Sequence, residues 1–256
     1  MDGVIALLRS EFRKVATIKL WWGMLLGSMA VAALSVVAQI ATNGLRNNPA
    51  APLSNPMTQR SVLSSAVSGY IFSVVVGIIL ITTEYRHFTS RPTFLIEPRR
   101  ARVIAAKLVV AAGVGLLYGI ACVAVAVAVT VPWLSAKGIA IAWVANGLIV
   151  VMVGALGAVA IFAVVGVGVG VLFRNQISAV ITTLAYLFVV EPLIAVIPVI
   201  KEGYRYLPGA AANALTGVAR NQVLLLPNWQ GGLLLLGWGL LFAALGWILT
   251  IRRDIP

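Results

Sequence analysis

Acidic residues are scarce in this sequence: seven Asp and Glu stand against nineteen Lys and Arg. Histidine and cysteine occur once each, as His87 and Cys122. These shortages exclude whole classes of chemistry. A zinc site needs clustered His, Cys or carboxylates, and one of each in separate segments supplies none; no H-E-x-x-H occurs either. A lone cysteine forms no intrachain disulfide, so Cys122, inside an Ala/Val run, reads as a small packing residue. No Gly-Lys pair exists, so there is no G-x-x-x-x-G-K-[ST] loop to cradle a nucleotide phosphate. Gly166, Gly168 and Gly170 miss the G-x-G-x-x-G spacing; their apolar surroundings suit close helix packing instead. His87 sits among arginines with no second residue to orient it, which argues against a nucleophile–base pair. The expectation is a chain that is not itself an enzyme and binds no metal or cofactor of its own.

What is abundant is apolar length. Hydrophobic residues make up 61% of the chain, and the mean hydropathy is +1.02. A bilayer core of ~30 Å takes ~20 apolar residues of helix to cross. Six runs reach that length, over 20–41, 62–83, 103–131, 143–172, 178–200 and 230–251. The expected fold is an all-α membrane protein, one transmembrane domain over 1–256. The segment before the first run, 4–19, places Val4, Ile5, Leu8, Phe12, Val15 and Ile18 on one helical side and Arg9 and Arg13 on the other. That pattern predicts an amphipathic helix lying in the headgroup plane. Its mixture of charged and apolar residues does not read as a secretory signal. The loop 42–61 is rich in Asn, Pro and Ser and reads as irregular; 132–138, "PWLSAKG", reads as a turn.

The basic residues lie in short segments between apolar runs, where they act as topology and headgroup signals rather than as a nucleic-acid face. With both termini in the cytoplasm, 13 of the 19 fall in inside segments and 6 outside. A seventh span at 207–226 would reverse the C-terminal Arg252-Arg253 against that bias. Residues 191–229, with four prolines, are therefore read as a re-entrant hairpin on the outer side. Pro192 predicts a helix break at Glu191, with the carboxylate at the outer gate or pinning the hairpin through Arg205, Arg220 or Asn213.

Residues 84–100 form a cytoplasmic loop that mixes Phe88, Phe94, Leu95 and Ile96 with Glu84, Arg86, His87, Arg91, Glu97 and Arg99. Solvated loops have little use for such apolar side chains, so the loop reads as docking a partner. The stretch "EYRHFTSRPTFLIEPRRARVIAAKLV", 84–109, resembles the corresponding loop of ABC-2-type transporter permeases. Glu84, Tyr85, Arg86, Thr89, Thr93, Pro98, Arg100, Ala106 and Lys107 stand at the matching places, while Phe88 replaces the glycine usual there. "RSEFRK" at 9–14, "YLPGAAANAL" at 206–215 and "RRDI" at 252–255 are similar to that family as well. The resemblance implies a permease of an ATP-binding cassette exporter in a bacterial plasma membrane, paired with a second permease chain and with separate ATPase subunits that hold the ATP and Mg. It also implies that Arg86, His87, Phe88, Arg91, Phe94 and Leu95 contact the ATPase, helped by Arg9, Glu11, Arg13 and Lys14 of the leader. Spans 1, 3 and 4 carry no charge in their interiors, which favours an amphipathic, lipid-like or drug-like substrate. The alternative is a non-transporting scaffold or assembly subunit.

Overall fold

The structure is a computed structural model that describes residues 2–17, 20–45, 51–86, 100–173, 175–197, 200–218 and 225–252. Every regular element among them is helical. The order is α1 (Asp2–Thr17), α2 (Leu20–Thr42), α3 (Pro56–Ser64), a 3-10 segment (Ser65–Gly69), α4 (Tyr70–Arg86), α5 (Arg100–Ala136) and α6 (Leu148–Phe173). Then come α7 (Gln176–Ala185), a π-turn (Tyr186–Val190), α8 (Glu191–Val196), a 3-10 turn (Lys201–Tyr206), α9 (Pro208–Thr216) and α10 (Asn228–Arg252). Six stretches are long and apolar enough to cross a membrane: Leu20–Thr42, Pro56–Thr83, Arg102–Ala136, Leu148–Phe173, Gln176–Val196 and Asn228–Gly246.

α6 is the axis of the bundle. It packs against α4, α5 and α10, with α9 over its first turns. Its sequence is apolar all round, as a helix surrounded by others requires. Glycine lets the neighbours come close. A Cβ on Gly166 would run into the Val74 carbonyl of α4, and one on Gly168 would stand 2.6 Å from the Gly239 carbonyl of α10. The glycine run at 166–170 therefore serves two crossings at once, on opposite faces of one helix. Ser73 adds an interhelical bond, its Oγ donating to the Val159 carbonyl at 2.7 Å.

Four local expectations give way to backbone chemistry. Residues 56–61 are helical rather than irregular, because Asn55 caps α3 and accepts from Met57 N at 2.8 Å. Pro56 fills the first turn, where a missing N–H costs nothing. Pro132 does not open a turn: α5 runs through it to Ala136. The helix ends instead at Gly138, with φ +68°, where Gly138 N and Ile139 N donate back to the Ser135 and Leu134 carbonyls. Residues 143–147, expected in the fourth span, form turns held by the Gln59 side chain. Its Nε2 donates to the Ala140 carbonyl at 3.1 Å, and its Oε1 accepts from Asn146 Nδ2 at 2.9 Å.

The fourth change is at Glu191–Pro192. The helix does not break there; α8 continues to Val196 and the chain turns extended at Ile197. The π-turn just ahead widens the coil where the proline ring would otherwise strike the preceding turn. α9 has nine residues, a rise of ~14 Å, and is too short to form a seventh span.

Candidate functional site

Two constellations are built on buried carboxylates, one beside α1 and one under α9. The first is built on spacing. Leu8, Glu11 and Val15 share one face of α1, and that face is turned onto α5 and α4. Glu11 is 1% exposed, and so is Lys107 on α5. Lys107 Nζ meets Glu11 Oε2 at 2.5 Å, and Lys14 Nζ meets Oε1 at 2.5 Å. Lys107 Nζ also lies 3.5 Å from the Leu80 carbonyl of α4. The Glu11–Lys107 pair thus joins three helices, α1 and α5 directly and α4 through the ammonium. Burial pushes the Glu11 carboxyl up, but Lys107 foremost, with Lys14, outweighs it and holds the group below its ordinary value.

Phe12, expected on the apolar face, is 61% exposed. The inward stripe runs through Leu8, Glu11 and Val15 rather than through Phe12, because the salt bridge makes the acidic position the buried one. Arg9 and Arg13 face solvent and Lys14 straddles the edge. Of the four leader residues singled out from sequence, Glu11 turns inward to Lys107, while Arg9 and Arg13 stay on the open face.

A second tie lies close by. Tyr118, fully buried on α5, donates its hydroxyl to the Trp21 carbonyl at 2.6 Å. The start of α2 is thereby fixed to α5, the helix that carries Lys107. Nothing in the sequence marked Tyr118, which sits in an apolar run as any packing aromatic would.

α4 ends at Arg86 and α5 begins at Arg100. The junction of α1, α4 and α5 therefore frames both ends of the segment expected to dock a partner. His87, Phe88, Arg91, Phe94 and Leu95 lie outside the described residues, as does the Arg86 side chain.

The second constellation surrounds Glu191, which is 3% exposed. Among the described residues its hydrogen-bond partner is neither Arg205 nor Asn213. Glu191 Oε1 accepts from Ala210 N at 2.9 Å, in the first turn of α9. Arg205 instead lies over the Tyr206 ring, 4.8 Å from its centroid, and Arg220 is outside the described residues. A carboxylate at a helix N-terminus meets unpaired N–H groups and the positive end of the dipole. Gly209 is what admits it: a Cβ there would stand 2.7 Å from Glu191 Oε1. Pro192 follows Glu191 directly after the π-turn. α9 itself is held down at Gly154 of α6 and Gly231 of α10.

Residues 7–190 match a family described as "ABC-2 family transporter protein". The match spans most of the chain, from the α1 face that carries Glu11 to the residue before Glu191. No curated protein matches the sequence. Six apolar helices of spanning length, a polar junction at one end of the bundle and this match agree: the chain belongs to the ABC-2 family of transporter proteins, as a multi-pass membrane permease.

Proposed function

We propose that the chain is the membrane-spanning subunit of an ATP-driven exporter, working with separate ATP-binding cassette ATPase subunits and a second permease chain in a bacterial plasma membrane. ATP and Mg belong to the ATPase partner. The substrate is amphipathic, lipid-like or drug-like. The observation that carries this reading is the Glu11–Lys107 junction, in a chain of this family. A buried ion pair is a costly way to hold helices together. It makes sense where parts must move as one and stay in register.

In this reading both termini are cytoplasmic. α1 lies in the headgroup plane with Arg9 and Arg13 toward the ATPase. The loop 84–100 seats in that subunit through Phe88, Phe94 and Leu95, oriented by Arg86, His87 and Arg91. When ATP closes the ATPases, the loop is pulled at both ends. α4 and α5 follow, α1 follows through Glu11, and α2 through Tyr118. Residues 191–229 form a re-entrant hairpin at the outer mouth, with Glu191 setting the angle of α9.

The test is purification of the tagged chain from its native membrane, with identification of what accompanies it and assay of ATP hydrolysis. Recovery of an ATPase subunit whose hydrolysis responds to a lipid-like substrate supports the proposal. Recovery of a stable assembly with no ATPase points to a scaffold subunit instead.

A further inference from the structure

At the end of the bundle far from α1, Arg60 of α3 stands without a counterion among the described residues. Its guanidinium lies against Gly147, whose φ of +65° closes the turn before α6; a Cβ there would be 3.4 Å from Nη2. Arg60 Nε is shielded from solvent and has no hydrogen-bond partner among the described residues. No Asp or Glu occurs in 20–83 or 102–190. The two buried carboxylates are engaged elsewhere, Glu11 with Lys107 and Lys14, and Glu191 with Ala210. A half-buried guanidinium normally finds an anion, because desolvating it unpaired is costly.

An open pocket of about 340 Å³ lies beside this side chain, lined by Arg60, Met57, Val144, Asn146 and Gly147 among others. Its chemistry is divided. The floor holds the guanidinium and the Asn146 side chain, whose Nδ2 is committed to Gln59. The rim carries Met57 and Val144, 67% and 80% exposed. A planar guanidinium matches the paired oxygens of a phosphate. Exposed apolar side chains at the rim suit an acyl or glyceryl body rather than water.

We propose that this pocket is a phosphate site occupied by the headgroup of an anionic lipid, with Arg60 as its cation and Met57 and Val144 against the lipid body. The site is independent of the ATPase and of the transport reading.

The experiment follows the melting of the full chain, purified in neutral detergent, by its tryptophan fluorescence. Three additions are compared: phosphatidylglycerol, diacylglycerol with the same acyl chains, and inorganic phosphate. Phosphatidylglycerol is expected to raise the melting temperature by several degrees more than diacylglycerol. That excess should vanish in Arg60→Gln and persist in part in Arg60→Lys. Val144→Trp, a rim change that leaves the core untouched, should reduce it too and serves if Arg60→Gln does not fold. Inorganic phosphate giving the full gain, lost in Arg60→Gln, would support the oxyanion site and assign it to free phosphate. Equal gains from phosphatidylglycerol and diacylglycerol in the natural chain would overturn the proposal, as would an excess that survives intact in Arg60→Gln and Val144→Trp.

Discussion

Glu11 and Lys107 carry opposite charges in a place where neither is stable alone. Both are 1% exposed, and their contact spans 96 positions of sequence. Removing Glu11 strips the buried ammonium of its carboxylate, a loss of about 3–5 kcal/mol, while removing Lys107 leaves Glu11 only the half-exposed Lys14 and should cost somewhat less. Replacing both by apolar groups of similar volume is close to neutral. Glu11→Gln and Lys107→Met should therefore each lower the melting temperature markedly, while the Glu11→Leu/Lys107→Met double variant recovers most of the loss. Equal losses in single and double variants would mean that the pair is not what holds α1. The pH dependence has a definite sign. The folded Glu11 carboxyl titrates below its ordinary value of 4.5, so its contribution is whole above that value and is lost as pH falls through the lower folded value. The stability gap between the natural chain and Glu11→Gln should be constant above about pH 4.5 and narrow below it. Melts over an acid series check this.

At the scale of elements, the contact between α8 and α9 shows what a carboxylate does at a helix start. Glu191→Ala leaves Ala210 N without an acceptor in a buried place, at a cost of about 1–3 kcal/mol. Glu191→Gln keeps an acceptor oxygen and should cost less. Gly209→Ala forces the carboxylate away and should resemble Glu191→Ala. If Glu191→Ala melts like the natural chain yet transports differently, the side chain serves the substrate path and not the hairpin. This region also marks how far sequence reaches. The spanning elements were legible because ~20 apolar residues have one dominant fate in lipid. The glycine run was legible as packing, since its spacing excludes a nucleotide loop. Pro192 misled, because the proline rule describes a regular helix and the π-turn changes the coil ahead of it. Glu191's partner was invisible, since side-chain reasoning looks for Arg or Asn, and backbone amides leave no trace in composition. The inward turn of Glu11 had a faint signal, an acidic residue at helical spacing between Leu8 and Val15. Its partner Lys107 could be identified only once α5 was placed beside α1.

For the whole molecule, the proposed function requires that a pull on one loop become movement across the bilayer. α6 is clasped by α4, α5, α9 and α10. α2 and the α7–α8 segment lie at its periphery, exposing Leu26, Leu34, Ile181, Phe188 and Leu193. The proposed machine has α6 as its axis and peripheral helices around it, with α1 and the loop 84–100 as its handle. Phe94, outside the described residues, tests the handle. An apolar anchor filling a partner pocket typically carries about 2 kcal/mol or more of binding, and a carboxylate in its place also adds a desolvation cost. Phe94→Asp should insert and fold as the natural chain does, with unchanged melting, but lose the ATPase from the purified complex or uncouple hydrolysis from transport. Arg91→Gln should slow assembly and sharpen its salt dependence without abolishing it, since peripheral charges steer association more than they hold it. A photo-crosslinker at position 94 in the native membrane gives a direct reading. Capture of an ATPase subunit agrees with the handle, whereas capture of lipid alone makes 84–100 a headgroup-binding loop and leaves the Glu11–Lys107 junction as a structural staple with no force to transmit.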